Sequence, residues 1–196
     1  MIVDSVTDGA PDCRYFLGFQ VGAARAANLL ERLPPMPPTF KSLDADRLHL
    51  TLCVIAETAA PHLWIRDWIA QAFASGLPPA GEIRFGRVLR TAKGAELVTS
   101  GSREEIRYLY SRIVALLRPL AGRGILPLYR QSGLRPHVTL GYGPCPFASA
   151  PMVWNWTPRE LVLIESLDGC GCHRVLDRWA LEAPPQRRFA FLEDVI

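Results

Sequence analysis

The sequence contains no apolar run of the roughly 20 residues that a membrane-spanning helix needs. Its first residues, Met1 to Asp12, lack the basic and apolar regions of a secretion signal. A cytoplasmic protein that does not enter a membrane is therefore expected. Charge of one sign is scarce as well: 22 Lys and Arg against 19 Asp and Glu leave a net charge of +3. That balance permits a phosphate-bearing partner without demanding one, and it falls short of the bias of a large nucleic-acid groove. Paired cysteines are missing too. The five cysteines, Cys13, Cys53, Cys145, Cys170 and Cys172, are odd in number and irregular in spacing, which argues against a disulfide framework. Cys170-Gly-Cys172-His173 is tighter than the usual gap of a zinc knuckle and no second ligand pair follows it. It reads as a turn between strands, and no metal site is expected.

What is present is a core former. Apolar residues make up 49% of the chain and charged residues 21%, so a packed domain is expected rather than disorder. Arg14 to Val21 reads as a strand, Ala23 to Leu33 as a helix stopped by Pro34-Pro35, and Arg47 to Ile55 as a second strand. Pro61 to Phe73 reads as an amphipathic helix, with Leu63, Trp64, Ile65, Trp68, Ile69 and Phe73 toward one face. Glu82 to Arg90 and Ala95 to Thr99 form a hairpin turning at Lys93-Gly94, and Arg103 to Leu120 is the longest helix. Pro136 to Tyr142 is a further strand, and Leu161 to Leu167 with Arg174 to Leu181 make a last hairpin. Hairpins among interleaved helices predict an α+β fold with antiparallel sheets rather than a doubly wound parallel one. Residues 1–13 read as an N-terminal extension and 14–196 as one domain.

Histidine is rare, with four in the chain, and two of them share a context. Arg47-Leu-His49-Leu-Thr51-Leu52 and Arg135-Pro-His137-Val-Thr139-Leu140 both spell Arg-x-His-x-Thr-Leu, 88 residues apart. Two His-x-Thr matches would arise by accident in about one such chain in a hundred, before the flanking agreement is counted. The spacing suggests a duplicated unit in which each copy gives one strand to a shared site. Alternate residues of a strand share a face, so Arg47, His49 and Thr51 point one way while Leu48, Leu50, Leu52 and Val54 point into a core. In the second copy Arg135, His137 and Thr139 share a face.

Two imidazoles titrating near neutrality can serve as base and acid for phosphodiester cleavage without a metal. Threonine hydroxyls can donate to non-bridging oxygens, and arginine adds a fixed positive fork. A lone strand histidine is more often packed or solvated than catalytic. The repetition of both polar types at the same offsets has no packing reason, so His49, Thr51, His137 and Thr139 are the catalytic candidates. Arg135 and Arg47, each at a strand start, are candidate substrate contacts. Tyr142 falls on the opposite face of a regular strand and joins them if Gly141 bends the chain. Cys53 shares the face of His49 in a regular strand, but nothing else marks it as a nucleophile. His62 and His173 read as surface residues. Phe16, Phe19 and Phe85 are aromatics available to stack on a base.

These residues resemble the two-histidine phosphoesterase superfamily, marked by paired His-x-Thr/Ser motifs. Within it, His49-Leu-Thr-Leu52 and Arg135-Pro-His-Val-Thr-Leu140 are most similar to the 2′-5′ RNA ligase / RNA 2′,3′-cyclic phosphodiesterase family, and Arg14 to Phe19 looks like its first strand. The resemblance spans about Arg14 to Leu181. It implies two pseudo-symmetric lobes of antiparallel sheet with helices outside and the site in the cleft between them. It implies no metal or nucleotide cofactor, a monomer, and RNA ends bearing a 2′,3′-cyclic phosphate as partner. By analogy His49 would protonate the leaving 3′ oxygen and His137 would activate water, with 2′-5′ ligation as the reverse reaction. A small cyclic nucleotide, an ADP-ribose cyclic phosphate, or phosphate binding without turnover stand as alternatives. The proline-rich connector at Pro34 to Pro38 and the Cys-Gly-Cys-His turn depart from the family pattern without touching the motifs.

Overall fold

The computed structural model describes residues 13–125, 134–167 and 172–183. Strand β1 (Cys13–Gln20) leads through Gly22, whose φ of 77° turns the chain, into helix α1 (Ala23–Glu31). The chain then runs through the short β2 (Lys41–Ser42) and a 3-10 turn (Ala45–Arg47) into β3 (His49–Thr58). Helix α2 (Ile65–Ala72), the hairpin β4 (Ile83–Arg90) and β5 (Gly94–Thr99), and helix α3 (Glu104–Leu117) follow. Last come β6 (His137–Tyr142), β7 (Ser149–Trp156), β8 (Glu160–Leu167) and β9 (Cys172–Ala180).

These strands form a nine-stranded antiparallel sheet in the order β7-β4-β5-β6-β3-β1-β8-β9, with β2 on β6. The sheet divides into two halves of like plan. In one, α1 connects β1 to its antiparallel neighbour β3; in the other, α3 connects β5 to its antiparallel neighbour β6. Each half thereby sets its His-x-Thr strand innermost. The halves meet where β2, from the α1–β3 connection, pairs with β6 at Tyr142 and Gly141, and where β3 pairs with β6 at Leu50 with Val138. The Leu50 and Val138 side chains are fully buried. The fold is the expected α+β arrangement with helices outside the sheet.

The core lies on the face that Leu48, Leu50, Val138 and Leu140 share. Ala26 and Leu29 of α1, Ile65 and Ile69 of α2, and Ile106, Leu109, Ile113 and Leu117 of α3 complete it. Burial of each such aliphatic side chain contributes roughly 1.5–3 kcal/mol. A smaller cluster of Phe16, Val162 and Ile164 sits apart from this core. Buried Glu165 ties the first strand to the last hairpin: it accepts from Tyr15 Oη at 2.8 Å and pairs with Arg174 at 2.7 Å.

The alternation of β3 breaks where the β1 register slips between Leu17 and Gly18. Leu52 and Cys53 are both buried, and Val54 turns to the half-buried face expected of its neighbour. Gly18 lies at this bulge, where a Cβ would collide with the Leu50 carbonyl oxygen. Only glycine lets the two strands come this close.

Several sequence expectations need correction. Helix α2 begins at Ile65, so Leu63 and Trp64 stand 83% and 61% exposed instead of joining its apolar face. Cys13 already pairs with Thr58 and Leu167, so it belongs to β1 and not to an extension. Strand β7 is an addition to the expected elements, although Met152, Trp154 and Trp156 alternate inward along it. Its Pro151 is tolerated because β7 is an edge strand. The Cys170 part of the Cys-Gly-Cys-His turn lies outside the described residues.

Candidate active site

The paired motifs meet on the sheet face opposite the core. Antiparallel register about Leu50 and Val138 sets His49 across from Thr139 and Thr51 across from His137. All four side chains are half-buried and line one cleft of about 490 Å³. Each motif histidine is held the same way. His49 Nδ1–H donates to the Arg47 carbonyl at 2.7 Å, and His137 Nδ1–H donates to the Arg135 carbonyl at 2.9 Å. A carbonyl only accepts, so Nδ1 carries the proton in both rings and Nε2 is left for chemistry.

The arginines serve the motifs unequally. Arg135 lines the cleft, and its Nη2 donates to Glu96 Oε2 at 2.9 Å. Arg47 is not on the strand face expected for it. It ends the 3-10 turn before β3 and is absent from the cleft lining. Its carbonyl orients His49, while its guanidinium charge disfavours protonation of both His49 and His173. Its buried Nε has no hydrogen-bond partner. Tyr142 does reach the cleft and is 48% exposed. A bulge opposite Ala95 and Glu96 shifts the phase of β6 and brings Tyr142 to the histidine face.

His173, read from sequence as a surface residue, stands in the cleft as a third imidazole. Its ring lies edge-on to His49 with centroids 4.9 Å apart, and Phe16 packs on His49 at 5.0 Å. Burial first, then Arg47, lowers its pKa, and its Nδ1 is buried without a partner. Sequence reasoning also missed Glu96, which lies 3.6 Å from His137 Nε2. Four further residues withdraw. Cys53 is 4% exposed, and burial pushes its thiol up to about 12, far from a usable thiolate. Phe19 and Phe85 are core residues against Trp156 and Trp154, and Phe16 is engaged with His49, so none is free to stack on a base. His62 packs on Trp68 at 4.9 Å, outside the cleft lining. Among the described residues no group of three or more His, Cys, Asp or Glu is placed to hold a metal ion.

Burial, reinforced by the nearby His173, His137 and Arg47, lowers the His49 pKa from 6.5 to about 4, against the smaller opposing effect of its bond to the Arg47 carbonyl. The unfolded chain therefore takes up this proton first as pH falls. Stability is unaffected above pH 6.5 and is lost between pH 6.5 and 4, by up to about 3 kcal/mol. Urea denaturation at about pH 7.5 and about pH 4.5 should show a smaller loss in His49→Asn than in the wild type. Equal losses would show that His49 titrates normally.

No family model matches the sequence, and no curated protein sequence does. Solved structures do match. A phosphoesterase aligns with a TM-score of 0.66 at 20% identity, covering 87% of this chain and 98% of that one. The protein TT0787 of Thermus thermophilus aligns at 0.63 and 20% identity, covering 86% and 97%. E. coli LigT in complex with 3′-AMP aligns at 0.63 and 19% identity, covering 87% and 98%. The chain has the LigT fold. At these identities the likeness concerns the fold, and it extends over nearly the whole of each neighbour. The LigT-like sheet is what carries β3 and β6 side by side, and hence both motifs into one cleft.

Proposed function

We propose that this cleft hydrolyses the 2′,3′-cyclic phosphate at an RNA end to a 2′-phosphate, by acid–base catalysis between His49 and His137. The carrying observation is the twofold geometry: two imidazoles in one cleft, each with Nδ1 tied to the carbonyl two residues before it, which leaves Nε2 as the proton-transferring nitrogen. The phosphorus sits between them. One Nε2 takes a proton from the attacking water while the other gives a proton to the departing 3′ oxygen, as the P–O3′ bond breaks. Thr51 and Thr139 donate to the non-bridging oxygens as charge gathers there. Arg135 at the rim offsets that charge. The resemblance assigns the acid role to His49. Its ring is neutral in the free protein at pH 7, and the anionic phosphate entering beside Nε2 favours its protonation. With a 5′-hydroxyl in place of water, the same groups would join the cyclic-phosphate end to a second RNA through a 2′-5′ bond, the 3′ oxygen again leaving with a proton; this is the ligase direction.

LigT crystallised with 3′-AMP and with phosphate supports a nucleotide phosphate as the ligand class. A cleft of about 490 Å³ is in the range of small-molecule sites. That favours, as a second reading, a free cyclic nucleotide rather than an RNA end. The test is turnover of 2′,3′-cyclic AMP and of an oligoribonucleotide ending in a cyclic phosphate, both in EDTA. A 2′-phosphate product is expected from each, with the higher kcat/KM on the oligonucleotide. A preference for the mononucleotide would move the substrate to a free cyclic nucleotide. Turnover of neither would leave a phosphate-binding module.

A further inference from the structure

Among the described residues lining the cleft, Glu96 is the one carboxylate. It stands on β5 in register with Thr139, so its side chain shares the face of the catalytic candidates. Its two oxygens face the guanidinium and the imidazole that a phosphate would seek. One accepts from Arg135 at 2.9 Å and the other lies 3.6 Å from His137 Nε2. The side chain is 18% exposed, so bulk water screens its charge only in part. A cleft that only had to attract anions would gain nothing from this group. Its negative charge opposes every anion in the cleft, and it opposes two charges more than one.

We propose that Glu96 is a specificity-determining residue that lets the cleft retain singly charged phosphodiesters and expel doubly charged phosphomonoesters. The proposal rests on the phosphodiester reading and adds a direction to it. A 2′,3′-cyclic phosphate carries one negative charge. Water adds its oxygen to phosphorus, the P–O3′ bond breaks, the 3′ oxygen takes a proton, and the 2′-phosphate monoester remains. The second proton of such a monoester has a pKa of about 6, so the product is a dianion at about pH 8. An extra unit charge about 6 Å from a half-screened carboxylate costs about tenfold in affinity. Product therefore leaves more readily than substrate, and the reverse reaction starts from the weaker-bound species.

The test is calorimetric binding at about pH 8, in low salt with EDTA, of adenosine 2′-phosphate and of its methyl ester, which carry two charges and one. Wild type, Glu96→Gln and Glu96→Asp are compared. Glu96→Gln is expected to tighten adenosine 2′-phosphate about tenfold more than the methyl ester, and Glu96→Asp to restore the wild-type preference. Equal tightening of both probes would overturn the role of Glu96 while leaving the phosphoester site intact. Weakening of both would overturn it too, and make Glu96 a support for Arg135. If neither probe binds any of the three proteins, the phosphoester reading falls and this inference falls with it.

Discussion

Replacement of His49 or His137 by alanine is expected to lower turnover of 2′,3′-cyclic AMP by about 10²–10⁴-fold, since each ring would supply one of the two proton transfers. The loss should fall on kcat, because an imidazole that moves a proton in the transition state contributes little to binding the ground state. The double substitution should cost far less than the product of the two single losses, because one ring without its partner has half a reaction to catalyse. Both side chains are half-buried at the cleft, so the substitutions should leave folding intact. Initial rates across substrate concentration, with circular dichroism on each variant, would check this. A variant that keeps a tenth or more of wild-type kcat would remove that histidine from the acid–base pair. Each tether has a consequence for variant design: no substitution rotates the ring while keeping an imidazole, since the anchor is backbone rather than side chain.

Leu50→Ala should destabilise the protein by about 2–5 kcal/mol, the range for a fully buried leucine truncated in a core. Leu50 is 0% exposed and is the β3 member of the registered pair between β3 and β6. The void would open directly beneath His49 and Thr51, its neighbours on the strand. A drop in the urea midpoint with an unchanged slope is the expected signature. Activity at temperatures well below the new midpoint should also fall, because the cavity loosens the register between His49 and His137. Loss of less than about 1 kcal/mol would mean that the site collapses around the void at little cost.

Much of this was legible in the sequence because it is local. The His-x-Thr repeat fixes two strands, strand alternation gives the four catalytic candidates one face, and the leucines between them give the core. What escaped is what depends on irregularity or on distant strands. A single bulge at Leu52 buries Cys53 and turns Val54 outward, and another beside Glu96 turns Tyr142 into the cleft; period-2 reasoning assumes neither. Arg47 precedes a strand in sequence but sits in a 3-10 turn, where alternation has no force. His173 arrives from β9, at the far edge of its half, through the curl of the sheet. Nothing in Cys-His-Arg encodes that approach. Glu96 is one polar residue of a hairpin strand, and only the β5–β6 register gives it a neighbour on the site. Strand β7 was within reach: alternating Met152, Trp154 and Trp156 are a strand signal that its proline obscured.

The seam between the halves is closed by two segments: β3 meets β6 at Leu50 and Val138, and β2, from the same half as β3, meets it at Tyr142 and Gly141. Each motif imidazole is fastened to the backbone of its own half. Aim is thereby set by local tethers and spacing by the pairing of β6 with both β3 and β2, so a change in β2 would act on the cleft from outside either motif.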